Sequence, residues 1–133
     1  MHNAFFKRLQ ACAAVTGLVG VLFGAFGAHF LKERLQDNEM ETLKTGVLYL
    51  FIHTLATLVI CLLAYQQQLP AKWLKSAGMA FMTGILLFSG SVFMISTKNL
   101  TGFPASAIGF LTPLGGLSFI AGWIFLLFHS RAN

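Results

Sequence analysis

Charge is scarce in this sequence, and acidic charge most of all. Only 10% of its 133 residues are charged, and Asp and Glu together number four. Soluble domains carry about 25% charged residues, so the composition excludes an ordinary soluble globule and points to a membrane. Cysteine is scarce too. Cys12 and Cys61 sit in apolar runs without a Cys-x-x-Cys spacing. That pattern speaks against a disulfide framework or a metal site and leaves them as small buried hydrophobes. No Gly-x-Ser-x-Gly elbow occurs, and no acid lies within an apolar run to orient a histidine. An embedded hydrolase is therefore disfavoured. Proton-coupled cation export needs an intramembrane carboxylate, so it is disfavoured as well; a neutral or anionic solute stays open.

Nine Lys and Arg against four acids give a formal charge of +5. The cations are scattered over ends and connections rather than one face, so nucleic acid is not an expected partner. In a membrane protein such cations anchor at head groups and set orientation. With the N-terminus inside, Lys7, Arg8, Lys72, Lys75 and Arg131 are cytoplasmic, and Lys32, Arg34, Lys44 and Lys98 are outside. Five against four favours both termini in the cytoplasm. Lys7 and Arg8 precede an apolar run like the start of a signal peptide. The run exceeds the usual h-region of about 7–15 residues, so a retained first span is expected.

Four long apolar segments are present, at about 9–31, 46–65, 77–97 and 107–129. Each has about 20 residues, or about 30 Å of helix, which matches the hydrocarbon core. A transmembrane β-barrel needs alternating polarity, and these runs are continuously apolar. The expected fold is an all-α membrane protein, a four-helix bundle in one domain over 1–133. No linker and no internal repeat is visible.

The first connection, 32–44, holds all four acids. It reads as an amphipathic turn on the membrane or as a solvated loop. Asn38 followed three residues later by Glu41 resembles a helix start, so the second helix is expected to begin near Glu39. In the second connection Pro70 suits a first helical turn. Trp73 between Lys72 and Lys75 suits the head-group layer. In the third, Gly102 and Pro104 are turn formers.

Small residues recur at helical spacing. Gly17, Gly20, Gly24 and Gly27 form one stripe of the first helix. Gly84 and Ser91 are seven apart on the third, as are Gly115 and Gly122 on the fourth, where Gly116 adds another small position. Such seams let backbones approach closely in lipid. They predict a tight bundle or a homo-oligomer with little interior for a solute. The first stripe runs on to His29 in sequence, and it is expected to pack on the second or fourth helix and bring His29 to a polar site.

Polar groups in hydrocarbon are costly and therefore informative. The second helix carries Thr45, Tyr49, His53 and Thr57 at four-residue steps. With Ser89 and Ser91 on the third helix and Thr112 on the fourth, these residues suggest an outer-leaflet layer of His29, Tyr49, His53, Ser89, Ser91 and Thr112. Pro113 is expected to kink the fourth helix and orphan the carbonyl near Gly109, which a hydroxyl or imidazole of the layer could satisfy. The first reading of His53 is a hydrogen-bonded packing residue. The second is a proton, ligand or lipid site. A haem or metal reading finds no ligand set, because His29 and His53 differ in depth by roughly 8 Å. His2 and His129 lie at the ends and carry little signal. No cofactor is expected.

Four blocks in order carry a family resemblance. They are Gly24-Ala-Phe-Gly-Ala-His29, Tyr49 with His53-Thr-Leu-Ala56, Leu86-Leu-Phe-Ser-Gly-Ser91, and Thr112-Pro-Leu-Gly-Gly116 with Gly122-Trp123. Over about residues 9–127 the chain resembles the DUF-423 family. That resemblance implies a small multi-pass protein of the bacterial inner membrane and assigns no catalytic residue. The family pattern often has a small or polar residue at Phe30 and a Tyr near Phe93, so neither position is taken as a site. The leading expectation is a non-enzymatic membrane protein acting through protein or lipid contacts. The alternatives are a small transporter or channel subunit that titrates at His53, and an intramembrane enzyme.

Overall fold

A computed structural model describes residues 2–66 and 71–132, with backbone only for His2, Asn3 and Ala132. Four helices are long and apolar enough to cross a membrane: Ala4–Leu31, Asp37–Gln66, Lys72–Ser96 and Leu111–Arg131. They are called the first to fourth spans below. Hydrocarbon offers backbone groups no partner, so a continuously apolar segment must bond within itself, and a helix does that. No strand occurs among the described residues. Pro70 lies outside them; the third span begins at Lys72, after Ala71.

The spans follow one another in space. The first packs on the second, the second on the third, and the third on the fourth. The buried core runs along these contacts through Leu9, Leu43, Leu50, Ile60, Phe81 and Phe119. Residues such as Val15, Leu18, Leu55 and Leu117 stay exposed, as a lipid-facing surface requires.

The third and fourth spans mesh by exchanging Phe for Gly. An added Cβ on Gly122 would lie 2.4 Å from Phe81, one on Gly84 would lie 2.4 Å from Phe119, and one on Gly115 would lie 2.3 Å from the Phe88 backbone nitrogen. Each step up one helix is matched by an equal step down the other, and the series ends on the Ser91–Thr112 hydroxyl pair, 2.7 Å apart. On the other side of the molecule the first-span stripe meets the second span alone. Gly17 faces Thr54, Gly20 faces Leu50 and Phe51, Gly24 faces Val47, and Gly27 faces Leu43. Gly116 corrects the expected seam: nothing lies within 4 Å of a Cβ placed there. It neighbours Gly115 in sequence but is rotated about 100° from it, off the contact face.

Three details differ from the sequence expectations. The second helix starts at Asp37, and Glu39 rather than Glu41 reaches back, accepting a bond from the Gln36 backbone N–H at 3.0 Å. The reach-back carboxylate therefore sits two residues earlier. Pro113 does not kink the fourth helix. That helix begins at Leu111, so Pro113 is in its first turn, where backbone N–H groups have no intrahelical acceptor anyway. A short 3₁₀ turn, Ala105–Ala107, and a turn over 108–110 occupy what was expected to be the start of the span. The third difference is two wide π-helical turns, Gly27–Leu31 and Ile85–Ser89. Each interrupts the 3.6-residue repeat and re-aims the side chains beyond it.

The connections are tight. Arg34 and Leu35 N–H groups both donate to the Leu31 carbonyl at 2.9 Å, and Leu35 is buried, which makes the first connection a packed turn. After the third span a short helix, Lys98–Thr101, ends at Gly102 with φ +70°. That left-handed conformation suits glycine because it has no Cβ.

Candidate functional site

His53 is 4% exposed at the junction of the second, third and fourth spans. Its ring stacks on Phe119, with centroids 3.5 Å apart and planes 10° apart, and meets Phe81 edge-on at 5.2 Å. Both ring nitrogens are engaged. Trp123 donates its indole N–H to Nε2 at 3.3 Å. An indole can only donate, so Nε2 accepts and Nδ1 carries the proton. Nδ1 then donates to the Tyr49 carbonyl at 2.7 Å. The network assigns a neutral imidazole with no nitrogen left for a substrate.

The other members of the proposed layer separate into local pairs. Ser89, buried at the end of the third-span π turn, donates to the Gly46 carbonyl of the second span at 2.9 Å. Ser91 donates to the Phe88 carbonyl at 3.0 Å and pairs with Thr112. Tyr49 stacks on Phe88 at 4.7 Å. Thr45 and Thr57 bond back to the carbonyls of Glu41 and His53, one turn earlier. The Thr57, Ser89, Ser91 and Thr112 hydroxyls thus satisfy helix carbonyls or each other, as polar groups inside a bundle must, whereas Thr45 and Tyr49 are exposed.

His29 does not join the layer. It is exposed, in the π turn that ends the first span. Gly27 is buried against Leu43 while His29, two residues on in the π turn, is exposed, so sequence adjacency to the stripe does not put His29 on its face. Phe30 is exposed and stacks on Phe26 at 5.1 Å, whereas Phe93 is buried and stacks on Phe23 at 4.2 Å. Trp123 is the partner that sequence reasoning did not place with His53. Its signal was chemical: an indole N–H within an apolar span needs an acceptor.

The described residues hold no group of three metal-ligating side chains. Cys61 is buried, with its thiol 3.6 Å from the Phe6 carbonyl, and Cys12 is exposed; both are free thiols. Hollows lie elsewhere among the described residues, and a pair of them sits between the ends of the first and second spans nearest their connection. One of about 290 Å³ is bordered by Phe23, Gly24, Val47 and Phe51. The other, of about 280 Å³, is bordered by Lys32, Asp37 and Lys44.

A family profile described as "Protein of unknown function (DUF423)" matches residues 23–116, more than half of the chain. The chain belongs to the DUF423 family. Its relatives include the UPF0382 membrane protein YwdK of Bacillus subtilis, 36% identical over 114 residues, covering 86% of this chain and 88% of the relative. The UPF0382 inner membrane protein YgdD of Escherichia coli is 36% identical over 115 residues, covering 86% and 82%. A UPF0382 membrane protein of Haemophilus influenzae is 36% identical over 124 residues, covering 93% and 94%. No solved structure matches. This DUF423 chain is thus a multi-pass helical membrane protein. The matched region runs from Phe23, within the glycine stripe, to Gly116 and takes in His53 but not Trp123.

Proposed function

We propose that this protein is a non-enzymatic component of the bacterial inner membrane that acts through contacts with lipid. One observation carries the reading. The buried histidine is fully engaged and walled by Phe81 and Phe119, while the open space between the first two spans borders the exposed, apolar surface of the bundle. A transport path would need an opening at His53, and an enzyme would need a nucleophile within hydrogen-bond reach of it. Its partners are instead a backbone carbonyl and an indole. The first-span stripe is taken up inside one chain by the second span, which weakens a homo-oligomer through that seam. Inner-membrane residence is inferred from the Escherichia coli relative, which is called an inner membrane protein. Both termini face the cytoplasm in this reading, which puts the hollows in the outer leaflet.

The test is delipidation. Stripping phospholipid from the detergent-solubilised protein lowers its melting temperature, and adding total phospholipid restores it. Melting that ignores both steps overturns the reading.

A further inference from the structure

The two hollows between the first and second spans share Ala28, Met40 and Lys44, so they adjoin. Their linings differ in kind. The deeper one is apolar: Phe23, Gly24, Gly27, Val47, Leu48 and Phe51 border it. From Lys44 to Phe51 it follows eight residues of the second span, a rise of about 10 Å. It runs beside the seam where Val47 and Leu43 pack on Gly24 and Gly27, and Leu48 at its border is 56% exposed. The shallower one carries Lys32, Lys44 and Asp37 beside Leu35 and Met40. An apolar trough that adjoins a hollow bordered by two lysines and one aspartate matches a lipid's division into acyl chain and charged headgroup.

The rim charges select among lipids. Two lysines suit a phosphate, which Lys binds as a point charge. Asp37 would repel a second anionic group and attract a cation. A headgroup with one phosphate and one primary ammonium satisfies all three. A choline headgroup has the positive charge but no N–H to donate. A glycerol headgroup has no positive charge.

We propose that this groove binds one phospholipid of the phosphatidylethanolamine class. Its acyl chain lies against Phe23, Gly24, Val47 and Phe51, its phosphate between Lys32 and Lys44, and its ammonium at Asp37. This rests on the lipid-contact reading above and names the lipid and its site.

The experiment titrates the delipidated full chain, in neutral detergent, with short-chain phosphatidylethanolamine, phosphatidylcholine and phosphatidylglycerol. Bound lipid is counted by native mass spectrometry, and melting is followed in parallel. Phosphatidylethanolamine is expected to bind at least five-fold more tightly than either competitor. Lys44→Gln weakens all three lipids. Asp37→Asn removes the preference for phosphatidylethanolamine and leaves phosphatidylglycerol binding intact or stronger. Lys98→Gln, which removes a cation from a different connection, changes nothing. Equal binding of the three lipids, or binding indifferent to Lys44→Gln and Asp37→Asn, overturns the site while leaving general lipid dependence standing. Binding of none of them overturns the lipid-contact reading as well.

Discussion

The backbone of Gly115 lies against the backbone of Phe88. A Cβ on Gly115 would stand 2.3 Å from the Phe88 nitrogen and 2.8 Å from its Cα. A flexible side chain could yield, but two helix backbones cannot without separating. Gly115→Ala is therefore expected to destabilise the bundle by about 1–3 kcal/mol or more, in the range of overpacking. Gly116→Ala meets open space and should be neutral or stabilise by about 0.4–1 kcal/mol, because alanine restricts the unfolded chain. Thermal melting of the two variants in the same detergent compares them. Equal melting would show that the backbone contact is not formed.

A long-range side-chain bond joins the Trp123 indole to the His53 imidazole. Trp123→Phe keeps most of the ring and removes the N–H, leaving Nε2 without its donor in a buried setting. A loss of about 1–3 kcal/mol is expected. In the double variant His53→Phe with Trp123→Phe the loss should be smaller than the sum of the single losses. Proteoliposome uptake of small solutes and protons by His53→Ala should equal that of wild type. A difference in uptake between them would return His53 to a transport role.

Glu39 ties two connections together. It is 5% exposed, one oxygen accepts the Gln36 N–H, and the other accepts the Asn99 side-chain amide at 2.5 Å. Glu39→Ala should cost about 1–3 kcal/mol because two donors lose their acceptor. Asn99→Ala should cost less, since only one bond goes. Strictly additive losses in a double-mutant cycle would argue that the two residues do not interact.

Orientation has a direct check. In the orientation proposed from the cation count, both termini face the cytoplasm. A fluorescent protein fused after Asn133 should fold and shine, and alkaline phosphatase fused there should stay inactive. The reverse pattern would invert the topology and move the groove to the inner leaflet.

Much of the fold was legible because its cause is local. The apolar runs near 9–31 and 46–65 became Ala4–Leu31 and Asp37–Gln66, with the second span longer at its polar start. There the acids Asp37, Glu39 and Glu41 form the first turns of a helix, which hydropathy alone does not count as span. Pro113 was misplaced for a related reason: an apolar run does not mark where its helix begins, and a proline at the start has the opposite meaning from one in the middle. Gly84, Gly115 and Gly122 are visible by spacing because helical periodicity maps them to one face. Gly116 and His29 show the limit of that reading, since a neighbour in sequence can point away.

The site was less legible. His53, Ser89, Ser91 and Thr112 stand out as polar residues in apolar runs, but nothing local says which of them meet. They divide between a His53–Trp123 contact, a Ser89–Gly46 contact and a Ser91–Thr112 contact. The π turn at Ile85–Ser89 helps to decide this, and the sequence Ile-Leu-Leu-Phe-Ser carries no mark of it.

By itself the sequence determined the class of molecule, its four spans and its family, because hydrocarbon forces each apolar segment to satisfy its own backbone. Only the tertiary structure decided which span the glycine stripe serves, what holds each nitrogen of His53, and where open space remains. Those outcomes depend on the register between helices far apart in sequence. Register follows from the summed fit of Phe against Gly and hydroxyl against carbonyl along a whole interface, which no single segment contains.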